Sequence, residues 1–393
     1  ITLRGLGRAV AVPAAANGAY AASGSTASPA GTFGGTATAP ATIAPSTSSA
    51  GTPVVATVLP DFVLLPASSP LLPGSTNGVT GVLAGHSTLS IPYGAGYAAP
   101  ADWYFPTQVD GTIAAQGVIW LQHAVGTTGG AYSELAAQLA RQTNSIVVAV
   151  TMPSSASPNG SGWWLPDDPM GRAVASLFEG DRSALTVSAA AAGYVGPQDV
   201  LQGNFVLAGH SSGGGFATTV AAEYASGSGA AAGLVIMYDG VSPGAFDGSG
   251  GFSLQLAELD THDVPVYQIA APAQLWNAYG ATTNALMAAR PDRFNGVVLV
   301  DGSHVDAMLG ADASADFVAQ RVTKVSSPGN AAATLAFSAG WINDLYAGAT
   351  PAAPVQGFYA SPNQPIVLGA ATAAALPSPI ANTLSRVDRR VGT

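Results

Sequence analysis

The organisation of this chain can be understood from residues 204–224, "NFVLAGHSSGGGFATTVAAEY". An apolar run leads into a cluster of glycine, serine and histidine, and a helix-forming stretch follows. Gly209, Ser211 and Gly213 match the pattern G-x-S-x-G between a strand and a helix, where it predicts a nucleophile on a sharp turn. We expect Ser211 to have a strained backbone with its hydroxyl pointing out of the sheet, because glycine on either side has no Cβ to collide there. Since the pattern is short, a glycine-rich turn without chemistry is the alternative.

The apolar runs on both sides of this stretch alternate with helix-like segments. Tyr132, Leu135 and Leu139 stand at helical spacing in "AYSELAAQLARQT". Continuous Val, Ile and Leu runs separated by helices predict an α/β fold whose mostly parallel central sheet has helices on both faces. Ligands of such sheets gather at the carboxyl ends of the strands. We predict strands in "GVLAGHSTLSIPY", "ADWYFPTQVDG", "GVIWLQHAV", "SIVVAVTMP", "FVLAG", "AAGLVIMYDG", "DVPVYQIAAP" and "FNGVVLVDGS".

Composition divides the 393 residues into three predicted regions. Residues 1–76 are a low-complexity leader or linker rich in Ala, Gly, Ser, Thr and Pro, with no charged residue between Val12 and Pro60. Residues 77–346 have the length and pattern of one α/β domain. Residues 347–393 form a C-terminal extension in which the low-complexity character returns. Because the chain opens at isoleucine, we expect that an upstream segment preceded it.

Charge and residue usage exclude several classes of function. Twelve basic and 22 acidic residues give a net charge of −10, which opposes nucleic-acid binding. The absence of cysteine excludes disulfides and thiolate chemistry. The sequence contains no apolar run long enough to span a membrane, no histidine spacing typical of metal ligands and no phosphate-binding loop. We therefore predict no membrane span, metal or cofactor. A chain with only 9% charged residues suits an extracellular or cell-envelope location.

A serine nucleophile needs a base, and His304 is the predicted one. It lies in "VVLVDGSHVDAM", directly after the last predicted strand, where a loop can reach Ser211. His210 adjoins the serine, but neighbours on a strained turn point apart, so we expect it to pack beside the turn. His86 and His262 fit surface or structural roles better, and His123 ends the strand that leads into the turn "QHAVG".

Asp239 is the predicted carboxylate that orients the base. It ends the strand after the helix that follows Ser211, in "GLVIMYDGV". Asp247 lies in a glycine-rich loop, and Asp260 and Asp263 precede a strand. Asp301 and Asp306 are too near His304 in sequence to reach its far nitrogen, and turn formation and helix capping are the simpler interpretation of these two.

These features together resemble the α/β-hydrolase superfamily, of the serine esterase and lipase type. The resemblance covers residues 77–346 and rests on the G-x-S-x-G turn, the "SHVD" loop, the position of Asp239 and the turn "QHAVG". The order Ser, Asp, His along the chain is the order of that superfamily. Many members instead carry the acid after the next strand, but "VPVYQIAAPAQLWNAYG" contains no carboxylate, which favours Asp239. The leader is also similar to those of actinobacterial cell-envelope hydrolases, including PE-type esterases.

The resemblance also implies an oxyanion hole made of two backbone N–H groups, those of Ser212 and Val125. The turn "QHAVG" departs from the lipase pattern because Ala124 stands where glycine is usual. If that position needs positive φ, alanine costs on the order of 1 kcal/mol there.

What the resemblance implies is ester hydrolysis through an acyl-enzyme. The insertion "PNGSGWWLPDDPMGRAVASLFEG" predicts a cap in which Trp163 and Trp164 contact an apolar acyl group, although both could equally pack in the core. Trp276 could line the same pocket. Small-molecule, lipid or polymeric esters fit such walls. An acyltransferase of the same fold and a catalytically silent cell-surface binding protein are the alternatives, and oligomeric state is left open.

Overall fold

The computed structural model describes residues 78–154, 168–246, 251–310 and 323–376, and the backbone of the strand Phe62–Leu65. Trp163, Trp164 and Asp247 lie outside these residues. The strands are β1 Phe62–Leu65, β2 Val79–Ile91, β3 Tyr97–Gln108, β4 Gly117–Gln122, β5 Ser145–Val150, β6 Phe205–His210, β7 Leu234–Tyr238, β8 Val266–Ala270, β9 Gly296–Leu299, β10 Pro365–Leu368 and β11 Ala371–Ala375.

Helices connect most of these strands. The α-helices are α1 Ser133–Thr143, α2 Asp168–Ala175, α3 Ser183–Ala191, α4 Asp199–Gln202, α5 Ser212–Ser228, α6 Phe252–Thr261, α7 Ala281–Ala289 and α8 Pro328–Ala347. Short 3-10 helices occupy Gly129–Tyr132, Ser176–Phe178 and Leu275–Gly280. Within the described part of the chain, no helix combines the length and apolar composition that crossing a bilayer requires.

The described strands form one sheet in the order β1-β2-β3-β5-β4-β6-β7-β8-β9-β11-β10. The centre of the sheet, from β5 through β4 and β6 to β9, is parallel, and antiparallel strands flank it on both sides. The chain leaves β4 toward β5 on one side and returns to β6 on the other. The carboxyl ends of β4 and β6 therefore border the point where the strand order reverses, which is where open α/β sheets bind ligands.

Two apolar cores cover the two faces of this sheet. In β4, Val118 and Trp120 pack into one core while Ile119 and Leu121 pack into the other. Helices α2, α3, α5 and α6 contribute to the first core, and α1 and α8 contribute to the second. Burial on both faces explains why the central strands are continuously apolar instead of alternating. The predicted α/β-hydrolase architecture, a mostly parallel sheet between helices, is confirmed.

Residues beyond 346 also contribute to the sheet. Strand β11 pairs antiparallel with β9, and β10 completes a hairpin with β11. The amide of Val300 continues this pairing by donating to the carbonyl of Thr372 at 2.8 Å. The predicted division at residue 346 remains a prediction, but residues 371–375 stabilise the strand that leads to His304.

Candidate active site

The turn between β6 and α5 has the strained geometry that the sequence predicts. Ser211 has φ 53° and ψ −127°, a region that costs a non-glycine residue of the order of 1–3 kcal/mol. A Cβ at Gly209 would lie 2.2 Å from the carbonyl oxygen of Gly213. A Cβ at Gly213 would lie 2.5 Å from the carbonyl oxygens of Gln122 and His123. Glycine is therefore required at both positions, because the first turn of α5 lies directly against Gly209 on one side and against the end of β4 on the other.

Ser211, His304 and Asp239 come together at the carboxyl ends of the strands. The Ser211 Oγ lies 3.0 Å from His304 Nε2, and His304 Nδ1 lies 2.6 Å from Asp239 Oδ2. All three residues are buried. A carboxylate only accepts hydrogen bonds, so Nδ1 carries the imidazole proton and donates it to Asp239. Nε2 is then free to accept the hydroxyl proton of Ser211, as a general base must.

The other acidic residues that the sequence offered have different partners. Asp306 Oδ2 accepts from the backbone N–H of Ser303 at 2.8 Å, within the loop that holds His304. Burial raises the pKa of Asp306 above its ordinary value. Asp260 lies 3.0 Å from Arg290, Asp263 lies 2.9 Å from Arg293, and Asp301 lies 3.4 Å from Lys324. Among the described carboxylates, Asp239 is the one in contact with His304.

Asp239 also receives hydrogen bonds that the sequence did not reveal. Its Oδ1 accepts from the backbone N–H of Ala271 at 2.9 Å. The side-chain amide of Asn277 donates to both carboxylate oxygens, at 3.1 and 3.2 Å. Ala271 and Asn277 follow β8, in the segment whose lack of a carboxylate favoured Asp239. The asparagine in that segment was the available signal.

His210 belongs to a buried network beside the turn. The Tyr132 hydroxyl donates to His210 Nδ1 at 2.7 Å, and His210 Nε2 donates to the carbonyl oxygen of His304 at 2.6 Å. The same hydroxyl accepts from the backbone N–H of Ala124 at 3.1 Å. Burial, with the neighbouring His304 ring as a second cause, lowers the pKa of His210 well below its ordinary value. A neutral His210 thus connects the turn after β4 to the histidine loop and adds no positive charge beside His304.

The turn after β4 is held by His123. Its Nε2 accepts from the backbone N–H of Met152 at 2.9 Å, so Nδ1 carries the proton and donates to the carbonyl of Ala124 at 2.7 Å. Burial lowers the pKa of His123 to about 4, which keeps the ring neutral. The residue with positive φ in this turn is Gly126, at 74°, and Ala124 is not strained in this way. The expected conformational cost of alanine at 124 is therefore absent.

The two residues predicted to form the oxyanion hole are in contact. The backbone N–H of Val125 donates to the Ser212 Oγ at 3.0 Å. Ser212 is the first residue of α5, where backbone N–H groups have no acceptor within the helix and the helix dipole favours negative charge. In this arrangement the Val125 N–H is taken up by the Ser212 side chain, and the oxyanion hole remains a prediction.

The remaining predicted residues lie apart from these contacts. His86 is exposed on β2, 2.5 Å from Asp102, and His262 lies 3.8 Å from Glu258. Trp276 is 42% exposed in the 3-10 helix after β8. Among the described residues, no three His, Asp or Glu side chains are grouped as metal ligands.

Comparison with known proteins gives likeness at the level of structure alone. No family profile matches the chain, and no curated protein matches its sequence. Similar solved structures include a dienelactone hydrolase from Anabaena variabilis, with 14% identity over 66% of this chain and 96% of that chain, at a TM-score of 0.42. Carboxyl esterase 2 from the mycorrhizal fungus Tuber melanosporum has 14% identity over 71% and 90%, at 0.42. A Pyrobaculum calidifontis esterase has 11% identity over 66% and 85%, at 0.39.

These identities and TM-scores are too low to transfer an activity to this chain. The strand order, the helices on both faces and the turn after β6 define the α/β-hydrolase fold by themselves.

Proposed function

We propose that the chain is a serine hydrolase that cleaves carboxylic esters through an acyl-enzyme on Ser211. The observation that carries this proposal is the pair of hydrogen bonds that links Ser211 through His304 to Asp239, at 3.0 and 2.6 Å. Each of the two flanking groups has one role. His304 accepts the proton of the nucleophile, and Asp239 holds the ring in the tautomer that can accept it.

The reaction has two stages. As the Ser211 Oγ attacks the ester carbonyl carbon, its proton passes to His304 Nε2, which then donates it to the departing alcohol. Water then attacks the acyl-enzyme and gives a proton to the same nitrogen, which returns it to the Ser211 Oγ as the Oγ–acyl bond breaks and the acid is released. The negative charge that develops on the carbonyl oxygen in each stage is stabilised by the backbone N–H of Ser212 and by that of Val125, once the Val125 N–H leaves the Ser212 Oγ. The N-terminal end of α5 adds its positive partial charge at that point.

We further propose that the acyl side of the substrate is apolar. Support comes from the turn after β8, whose Leu275, Trp276 and Tyr279 are 57%, 42% and 67% exposed. Asn277 of the same turn contacts Asp239, so this turn adjoins the triad. Exposed aromatic and aliphatic groups at the mouth of a site favour lipid-like or polyester-like acyl groups over small polar ones.

Covalent labelling tests the proposal. Intact protein is incubated with a fluorophosphonate, and mass spectrometry measures the addition and its position. We expect one addition at Ser211, none in Ser211→Ala, and full addition in Ser183→Ala, which changes an exposed serine of α3. Absence of labelling in a protein with native circular dichroism contradicts the proposal. Hydrolysis of p-nitrophenyl esters of increasing chain length then measures the acyl preference, and an added alcohol acceptor separates hydrolysis from acyl transfer.

A further inference from the structure

The turn after β8 carries a buried amide whose hydrogen-bonding groups all have partners. Asn277 is 2% exposed, and its Oδ1 accepts from the backbone N–H groups of Gln274, at 2.9 Å, and Gly280, at 3.0 Å. Because two N–H groups point at this oxygen, the amide nitrogen must occupy the other side of the group. There it donates to Asp239 and to the carbonyl of Pro272 at 3.1 Å. The orientation of the amide is thus fixed by its own turn.

The carboxylate of Asp239 has two different sides as a result. Oδ1 accepts from the backbone N–H of Ala271 and from Asn277, while Oδ2 faces His304 at 2.6 Å. The amide also reaches Oδ2 at 3.2 Å and so bridges the two oxygens. Rotation of the carboxylate would break these bonds. Hydrogen bonds to a charged group are about twice as strong as neutral ones, so they resist that rotation.

We propose that Asn277 is a positioning residue that holds Asp239 in the orientation that His304 requires. The inference rests on the proposed function of the site. In this chain the loop after β8 supplies donors to a carboxylate that comes from the preceding strand, β7. The buried Asn277 amide acts through Asp239, without contact to the substrate.

The same amide holds a strained turn. Ala278 and Tyr279 follow it with φ values of 49° and 53°, which are unfavourable for residues with a Cβ. Asn277 closes this turn through Gln274 and Gly280. The turn that presents Trp276 and Tyr279 to solvent is therefore hydrogen-bonded to Asp239. A substrate that contacts these two rings would contact a turn whose position is linked to that carboxylate.

Two substitutions of Asn277 separate its roles. Asn277→Ala removes both the acceptor for the turn and the donors to Asp239. Asn277→Asp keeps the acceptor, removes the amide donors, and puts a second carboxyl about 3 Å from Asp239, where the two must share a proton. Gln274→Ala is the matched control, because the Gln274 side chain accepts from the backbone N–H of Asn277 and closes the same turn without touching Asp239.

Steady-state ester hydrolysis and proton NMR of the whole chain give the readouts. We expect kcat to fall about tenfold or more in Asn277→Ala and Asn277→Asp with little change in KM, because second-layer partners of catalytic groups have effects of that size. In Gln274→Ala we expect kcat within about twofold of the wild type. The strongly deshielded resonance of the His304 Nδ1 proton, bonded to Asp239, should shift or broaden in both Asn277 variants and stay unchanged in the control.

The outcomes distinguish this inference from the proposed function. Wild-type kcat and an unchanged His304 resonance in Asn277→Asp would overturn the positioning role, since the turn alone would then explain the residue. The positioning role is also overturned if kcat falls as much in Gln274→Ala as in Asn277→Ala. If the wild type hydrolyses no ester but the resonance shifts in the Asn277 variants, the proposed function fails and the positioning contact stands. Should Asn277→Ala not fold, Asn277→Asp decides alone.

Discussion

Replacing Asp239 by asparagine changes one atom of the site and should stop the reaction. In the structure Oδ1 receives the backbone N–H of Ala271 at 2.9 Å, so the oxygen of the new amide must take that position. The amide nitrogen then faces His304 Nδ1 across the present distance of 2.6 Å. Two donors cannot face each other, so His304 must give up its proton at Nδ1 and carry it at Nε2. In that tautomer it cannot accept the proton of Ser211.

The magnitude follows from the loss of the base. Holding the wrong tautomer in a Ser-His-Asp site lowers kcat by about 10⁴, or about 5 kcal/mol of transition-state stabilisation. A second cause adds to it, because the new amide nitrogen also lies near the amide of Asn277, which donates to Oδ2 at 3.2 Å in the present structure. Stopped-flow and steady-state hydrolysis of a p-nitrophenyl ester measure the effect on acylation and on turnover.

Asp306→Asn is the control for this substitution. Asp306 lies two residues from His304 and accepts from the backbone N–H of Ser303, which an asparagine oxygen can also do. We expect this variant to keep kcat/KM within about tenfold of the wild type. If Asp239→Asn retains more than about a tenth of wild-type kcat/KM, or if Asp306→Asn loses more than it does, the assignment of the acid is wrong.

Three further expectations concern residues around the triad. Gly213→Ala should lower kcat at least tenfold and destabilise the fold by about 1–3 kcal/mol, because its Cβ would meet two backbone oxygens at 2.5 Å. In the control Gly130→Ala the Cβ would meet one atom at 3.6 Å, so kcat and Tm should not change. Equal effects of the two substitutions would refute the steric reason. Tyr132→Phe should cost about 1–3 kcal/mol in urea unfolding, since it leaves the buried His210 Nδ1 without a donor, and an unchanged midpoint would contradict this. The pKa of His123 is lowered from 6.5 to about 4, so its contribution to stability is present above pH 6.5 and is lost as the pH falls toward 4, about 3 kcal/mol in total. Urea unfolding at pH 7, 5 and 4 should therefore show a smaller pH slope in His123→Gln than in the wild type, and equal slopes would refute the assignment.

The parts of this molecule that could be predicted depend on local pattern. Continuous apolar runs between helical stretches gave the central strands and the helices that follow them, because burial on both faces demands such runs. The turn at Ser211 was predictable because the pattern G-x-S-x-G between a strand and a helix is a local one, and the contact that requires glycine at 209 lies within five residues. Elimination led to Asp239, and the structure brings it to His304.

What could not be predicted depends on contacts between distant segments. The network of Tyr132 and His210 joins residues 78 positions apart, and no local pattern distinguishes that tyrosine from one in a core. Asn277 reaches Asp239 across 38 positions, and an asparagine in a loop is usually a turn residue. Strain at Ala124 was expected only if that position needed positive φ. The positive φ falls on Gly126 instead, because the path of the chain decides which residue of a turn adopts it.

The pairing of β11 with β9 has a consequence for any shortened version of the chain. Ala373, Ala374 and Ala375 supply the backbone partners of Leu299, Val298 and Val297. A version that stopped at residue 346 would leave those apolar positions as an open edge strand, which invites pairing with another molecule. We expect such a version to self-associate and to lose activity together, because the exposed strand runs directly into the loop that carries His304. Strand β11, a run of small residues distant in sequence from Ser211, thus covers the edge of β9 and prevents aggregation through it.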